Sequence, residues 1–182
     1  DHVREVLDLR VRALLPAAPE AYRGRQGGPG PTRAARSIRS RRDEDAMTHH
    51  VSAMLETHPK DLGGVDRRTL AECIEACLAC AQTCTACADA CLSEDMVAEM
   101  RRCIRLNLDC ADLCETTGRV LSRQTGINID VNRAALETCR TACRSCAEEC
   151  EKHVDMHEHC RVCAEACRRC EIACADLLAS LD

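Results

Sequence analysis

Cysteine recurs in this sequence at steps of three and four residues, which is the spacing of one face of an α-helix. From Cys73 to Cys91 the steps are 4, 3, 4, 3 and 4, and later stretches of the chain repeat this alternation. It is the pattern of the inward positions of a helical bundle, with cysteine where leucine usually lies. The sequence therefore predicts several helices that turn their sulfur atoms toward one interior.

Four cysteine-bearing stretches are separated by short connections, so neighbouring helices should be antiparallel. Asp66, Ser93 and Asp130 are predicted to cap the first three helices, because their side-chain oxygens can accept hydrogen bonds from a first turn. Glu94 and Asp95 then suit the positive end of the second helix. The predicted fold is all-α, an antiparallel up-down-up-down four-helix bundle. Its helices are expected over about residues 66–91, 94–123, 131–153 and 156–181.

Few large apolar side chains are available for the interior of this bundle. Phe and Trp are absent and Tyr22 is the only aromatic residue, so aliphatic side chains share the core with 18 cysteines. A cysteine buries much less apolar area than a leucine, at roughly 25 cal/mol per Å², so packing alone does not explain so many. Disulfides are disfavoured because cysteines four residues apart on a helix have nearly parallel Cα–Cβ bonds. Metal binding is the better explanation.

The spacing also discriminates among the metals that cysteine binds. Bacterial iron–sulfur runs have the pattern C-x2-C-x2-C-x3-C-P on a loop, whereas here the cysteines continue along helices. Four thiolates around Zn²⁺ leave a net charge of about −2, which is costly to repeat in a dry core. Electron transfer by an iron–sulfur protein is the main alternative function, and zinc storage is a third possible function.

Monovalent copper fits the pattern best. Thiolate is the soft ligand that selects Cu(I), and the i, i+4 spacing offers pairs of thiolates repeatedly. If roughly one Cu⁺ enters per thiolate, the filled core is close to neutral, which burial favours. The sequence therefore predicts storage of many Cu(I) ions per chain. The predicted metal ligands are Cys73, Cys77, Cys80, Cys84, Cys87, Cys91, Cys103, Cys110, Cys114, Cys139, Cys143, Cys146, Cys150, Cys160, Cys163, Cys167, Cys170 and Cys174.

The two ends of the predicted bundle differ. Met96, Met100, His153, Met156 and His157 should meet at the end that holds the first and third connections. Thioether and imidazole are neutral ligands, and we predict that this end, the mouth, admits copper. The opposite end should be closed by an apolar plug of five leucines, which are Leu70, Leu121, Leu136, Leu177 and Leu181.

The first 46 residues contain no cysteine and hold four of the five prolines. They are expected to be a disordered basic, Gly- and Pro-rich tail, or sequence upstream of a true start at Met47. A short N-terminal helix and linker are expected over residues 47–65, and the bundle over residues 66–182. No stretch approaches the roughly 18 apolar residues of a membrane span, and no secretory signal is evident. A cytoplasmic protein with reduced thiols is predicted, binding neither membrane nor nucleic acid.

The sequence resembles the bacterial copper storage proteins, specifically their cytosolic branch. The resemblance rests on the cysteine runs of the first, third and fourth helices, and on His153 and His157 at the turn between the third and fourth helices. The resemblance covers about residues 47–182. It implies a four-helix bundle whose inward cysteines bind many Cu(I) ions, and assembly into a homotetramer.

The second helix is the least regular part of that resemblance. Leu106 and Asn107 interrupt its cysteines, so coordination is least defined there. Nothing in the sequence resembles an activated nucleophile with a base partner, and no enzymatic activity is expected. Copper is expected to arrive from a copper chaperone or from small thiols.

Overall fold

The computed structural model describes residues 50–60 and 64–181, and every regular element within these ranges is helical. Four long helices follow one another: α1 (Arg67–Leu92), α2 (Arg101–Leu121), α3 (Ile129–Cys150) and α4 (Glu158–Ala179). A short 3-10 helix, Glu151–His153, extends α3. Each helix packs on the next and α4 packs back on α1. The predicted four-helix bundle is confirmed.

The predicted caps are partly wrong. Asp66 caps α1, since its carboxylate accepts a hydrogen bond from the backbone N–H of Arg68 at 3.0 Å. Ser93 is instead the C-cap of α1, and α2 begins only at Arg101, after eight residues of turns. Glu94 and Asp95 therefore lie in a connection and not in the first turn of a helix.

The cap of α3 lies two residues before the predicted one. Asn128 Oδ1 accepts hydrogen bonds from the backbone N–H groups of Asp130, at 3.1 Å, and Val131, at 3.2 Å. Asp130 lies in the first turn, where its charge is favourable for the helix dipole. The connection that precedes α3 reverses the chain at Gly126, whose φ of 67° is a conformation that glycine adopts without strain.

A short helical segment precedes the bundle, as predicted, and is described from residue 50 to residue 56. Its Leu55 is buried and belongs to the same apolar core as the bundle. His58, just after it, lies with Nε2 3.5 Å from Thr125 Oγ1 in the connection between α2 and α3. The predictions for residues 1–46 and for a start at Met47 lie outside the described residues.

Within the described residues, α1 is the one helix long and apolar enough to cross a membrane by length and composition alone. Its apolar character comes largely from cysteine and alanine, and all six of its cysteines are buried against the other helices. A core helix of a bundle passes the same test, so this feature is explained by the fold.

Candidate metal centre

All eighteen cysteines lie inside the bundle, as the periodicity predicts. Each of them is buried and none forms a disulfide. Cys87 keeps 2% of its surface exposed and the other seventeen keep none. Steps of three and four residues match the helical repeat of 3.6 residues, so every sulfur stays on the inner face of its helix. The four helices therefore enclose a continuous lining of thiols.

The sulfur atoms approach one another across the helices at van der Waals distances. Cys84 on α1 lies 3.5 Å from Cys167 on α4, measured between Sγ atoms, and 3.6 Å from Cys163. Cys114 on α2 lies 3.4 Å from Cys143 on α3. A disulfide would need about 2.05 Å. These thiols are therefore unbridged and close enough for one ion to contact several of them.

Several groups of four cysteines have sulfur atoms that all lie within 4.8 Å of one another. Consecutive groups share members, so the potential sites overlap along the bundle instead of standing apart. Thiolates in such overlapping groups can bridge soft cations. The groups are Cys77, Cys139, Cys170 and Cys174; Cys80, Cys114, Cys143 and Cys170; Cys80, Cys84, Cys110 and Cys167; and Cys84, Cys146, Cys163 and Cys167.

Burial and mutual hydrogen bonds make the thiols difficult to ionise together. Burial raises the pKa of Cys91 to about 12, and the neighbouring Cys103 adds to the increase. Hydrogen bonds with Cys110 and other cysteines, together with burial, raise the pKa of Cys84. Hydrogen bonds from Cys110 and its neighbours instead lower the pKa of Cys80. A few thiolates can thus form with support from surrounding thiols, which themselves stay protonated.

Asn107 contacts the thiol lining directly, which the sequence prediction missed. Its side chain is fully buried on α2, between Cys103 and Cys110. The amide Nδ2 donates to the Cys103 carbonyl oxygen at 2.8 Å, and Oδ1 accepts from the Cys163 thiol at 2.9 Å. Weaker contacts reach Cys146 and Cys150. The signal was present, because residues 103, 107 and 110 keep the inward steps of four and three.

The predicted mouth residues lie around the connections that join α1 to α2 and α3 to α4. Met100 is fully buried beside the thiols, whereas Met96 and Met156 are exposed. The ring centroids of His153 and His157 are 6.5 Å apart. In both rings Nε2 is buried and has no hydrogen-bond partner. The mouth thus holds two inward imidazoles and one buried thioether, with two further methionines outside.

Two carboxylates lie beside the mouth histidines. Glu94 Oε1 lies 2.9 Å from His157 Nδ1, and Glu149 Oε1 lies 3.7 Å from His153 Nε2. Burial raises the pKa of Glu149, but hydrogen bonds from Lys152 and from Arg102 outweigh it, so that its pKa lies below the usual range. These acids were not among the predicted site residues, because Glu94 lies in a connection without periodicity and Glu149, in the last turn of α3, is a charged residue next to the inward Cys150.

His159 is another candidate site residue that the sequence prediction missed. Its Nδ1 lies 3.5 Å from the sulfur of Cys87 and 3.5 Å from that of Cys160, while its Nε2 lies 3.0 Å from Glu94 Oε1. The hydrogen bond with His159, supported by the charge of His157, lowers the pKa of Glu94. The available signal was the position of His159, directly before an inward cysteine.

The predicted plug is confirmed at the opposite end. Four of its leucines are buried and the fifth packs partly buried against the core, and the set is Leu70, Leu121, Leu136, Leu177 and Leu181. Ile74 and Leu55 also belong to the apolar core. This end of the bundle is closed by aliphatic side chains, whereas the mouth carries imidazole, carboxylate and thioether groups.

The comparisons with known proteins agree with this arrangement. A family model described as "Copper storage protein" matches residues 66–179, which is the bundle. The protein YhjQ of Bacillus subtilis, described as uncharacterized and cysteine-rich, is 36% identical over 107 residues, which are 59% of this chain and 94% of that protein.

Two solved structures are similar in fold and sequence. The copper storage protein Ccsp of Streptomyces lividans, loaded with 10 copper equivalents, has a TM-score of 0.71 and 61% identity, over 71% of this chain and 98% of that one. The Cu(I)-bound BsCsp3, from Bacillus subtilis, has a TM-score of 0.53 and 33% identity, over 58% of this chain and 94% of that one.

Proposed function

The chain belongs to the copper storage protein family, and on that premise we propose how its core stores Cu(I) and how copper reaches it. The observation that carries the proposal is the lining of eighteen buried, unbridged thiols in overlapping groups. An iron–sulfur carrier needs only the few cysteines of its cluster. Family membership and the continuous lining favour copper storage over that alternative.

Charge balance determines how the core fills. Each Cu⁺ that enters replaces a thiol proton, so the net charge of the core stays nearly constant. The filled core is then close to neutral, and burying it avoids the large cost of uncompensated charge. Because the protons of thiols such as Cys91 must leave, copper binding weakens as the pH falls. All eighteen cysteines are proposed as ligands, and the expected capacity is on the order of one ion per cysteine.

Copper is proposed to enter between His153 and His157. The centroids of the two rings lie 6.5 Å apart at the mouth, and their buried Nε2 atoms have no hydrogen-bond partner. Met100 lies buried just inside, and Met96 and Met156 lie outside. Neutral nitrogen and thioether ligands bind Cu(I) more weakly than thiolates do, so an ion can pass from them to the sulfur lining.

This route is tested by the rate of loading. The double variant His153→Ala, His157→Ala should take up Cu(I) more slowly than the parent protein and reach almost the same final capacity. His58→Ala is the matched control, because His58 lies by the connection between α2 and α3, away from the mouth. A double variant that loads at the parent rate, or that loses much of its capacity, would contradict the proposed route.

The protein is proposed to act in the cytoplasm, without catalysing a reaction, as a homotetramer. Reduced, unbridged thiols suit a reducing compartment, and a solved relative is described as cytosolic. Copper would be delivered by a copper chaperone or by small thiols. Sedimentation equilibrium of the copper-free protein should give four times the chain mass, and a monomer would refute the tetramer.

Anaerobic titration with Cu(I) against a competing chelator tests the storage function itself. The protein should withdraw copper from the chelator until on the order of one ion per cysteine is bound. Saturation after a handful of ions would overturn the proposal. A brown protein that contains iron and inorganic sulfide would support the electron carrier instead.

A further inference from the structure

One carboxylate joins the two connections of the mouth. Glu94, in the connection between α1 and α2, lies with Oε1 2.9 Å from His157 Nδ1 and 3.0 Å from His159 Nε2. His157 is the N-cap residue of α4, and His159 lies in the first turn of that helix. The same oxygen atom of Glu94 is therefore shared by two imidazole rings at the entrance to the bundle.

These contacts determine which nitrogen of each ring carries the proton. At neutral pH the carboxylate of Glu94 is ionised and only accepts hydrogen bonds. His157 therefore donates from Nδ1–H and His159 donates from Nε2–H. In a neutral imidazole the other nitrogen keeps a free lone pair. Glu94 thus selects opposite tautomers in two rings that are two residues apart in the chain.

The nitrogens that keep their lone pairs are the inner ones. His157 Nε2 is buried and has no hydrogen-bond partner. His159 Nδ1 lies 3.5 Å from the sulfur of Cys87 and 3.5 Å from that of Cys160. The centroids of the two rings are 5.4 Å apart. Lone pairs on neighbouring rings are therefore available beside the thiol lining, and one carboxylate outside them holds both rings.

The second carboxylate of the mouth differs from Glu94 in its partners. Glu149 Oε2 accepts hydrogen bonds from Arg102 at 2.9 Å and from Lys152 at 2.7 Å. The other oxygen of Glu149 lies 3.7 Å from His153 Nε2, which is too long for a hydrogen bond. Of these two carboxylates, Glu94 is therefore the one that fixes the tautomer of a histidine.

We propose that Glu94 is a positioning residue for copper entry, which holds His157 and His159 in the tautomers that keep their inner lone pairs free for an incoming Cu⁺. The inference rests on the entry route proposed above, and it adds a residue that acts without binding copper. Without Glu94 each ring can adopt either tautomer, so that a fraction of the molecules present an N–H group to the ion. Uptake then slows, whereas the number of thiols that store copper is unchanged.

Stopped-flow measurement of Cu(I) uptake by the full-length, reduced, copper-free protein tests this role. Glu94→Ala removes the acceptor and should slow uptake by about 10- to 100-fold, the usual effect of removing a partner that orients a histidine, with the final capacity unchanged. Glu94→Gln keeps an acceptor oxygen without the charge, so its rate should lie between those of Glu94→Ala and the parent. Asp95→Asn, which changes the neighbouring exposed carboxylate, is the matched control and should load at the parent rate.

The ¹⁵N NMR shifts of the histidine rings provide the second readout, because protonated nitrogens and nitrogens with a lone pair resonate at different positions. The copper-free parent should show Nδ1–H for His157 and Nε2–H for His159, and Glu94→Ala should show a mixture of tautomers in both rings. Uptake at the parent rate, or unchanged tautomers, in Glu94→Ala would overturn the proposal.

The double variant His153→Ala, His157→Ala separates this proposal from the entry route on which it rests. If the double variant loads at the parent rate, the entry route itself is wrong. If the double variant loads slowly while Glu94→Ala loads at the parent rate, the entry route stands and the role of Glu94 is refuted.

Discussion

The two ends of this bundle are made from the same four helices and differ in almost every physical property. At the plug, Leu121, Leu136 and Leu177 are almost completely buried and belong to the same core cluster as the thiols. At the mouth, His153, His157 and Glu94 are partly exposed and hydrogen-bonded or ionically paired. A core lined with small sulfur side chains needs one end that supplies apolar burial and another that supplies access.

The connections between helices also differ between the two ends, because only those at the mouth carry candidate site residues. At the plug, α2 passes to α3 through residues 122–128, with Gly126 in a left-handed conformation. At the mouth, eight residues of turns separate α1 from α2, and a 3-10 helix followed by a turn separates α3 from α4. Irregular connections place side chains that a regular helix cannot, and here they carry Glu94 and His153 to one place. Stability and binding are thus divided between the two ends.

The largest expected effect of a single substitution is at the plug. Leu136 is fully buried, so Leu136→Ala should lower the free energy of unfolding of the copper-free protein by about 2–5 kcal/mol. Leu108→Ala is the control, because Leu108 is 45% exposed on α2 and its loss should cost less than about 0.5 kcal/mol. Anaerobic denaturation with guanidinium chloride measures both. Equal effects of the two substitutions would remove the distinction between plug and surface.

A smaller effect is expected between the two ends, at Asn107. Asn107→Ala leaves the thiol of Cys163 and the carbonyl of Cys103 without their partner, at a cost of about 1–3 kcal/mol in unfolding free energy. The same denaturation experiment measures it. Asn107→Cys, which completes the cysteine spacing of α2, should restore part of the loss. If Asn107→Ala were as stable as the parent, the amide would not organise the sulfur lining.

The pH dependence of the copper-free protein should reveal the thiols beside the mouth. The pKa of Cys91 is raised by burial from 9.0 to about 12, so folding favours its protonated form. That contribution is complete below pH 9, where the unfolded thiol is also protonated, and it is lost as the pH rises from 9 toward 12. Unfolding free energies measured anaerobically between pH 7 and pH 11 should therefore decrease above pH 9.

A matched variant isolates the contribution of this one thiol. Cys91→Ala should show a shallower decrease above pH 9 than the parent does, because the group that titrates has been removed. The effect is expected to be the smallest of the three, since one thiol among eighteen is changed. A parent protein whose stability is constant from pH 9 to pH 11 would contradict the account of buried, protonated thiols.

Periodic features of this molecule could be predicted from the sequence, and irregular ones could not. The steps of three and four place every cysteine on an inner face, and the same register continues to the leucines of the plug. The start of α2 was predicted wrongly, because Glu94 looks like a first-turn acid and in the structure interacts with His157 and His159. Such partners lie about 65 residues away along the chain.

The same physical reason explains why the roles of Asn107 and His159 were missed. Asn107 keeps the inward register, and only the positions of Cys163 and Cys103 reveal that its amide serves the thiols. The role of His159 depends on the non-helical paths of both mouth connections, which bring Glu94 and Cys87 to opposite sides of its ring. No rule of spacing encodes these contacts.

The central claim is that Cu⁺ and thiolate cancel each other's charge almost one for one inside the bundle. High-resolution native mass spectrometry of protein loaded anaerobically counts copper ions and lost protons in the same spectrum. The account predicts a series in which each added copper removes one proton and which extends to on the order of one ion for each of the 18 cysteines. A series that stops after a handful of ions, or copper that binds without loss of protons, would contradict it.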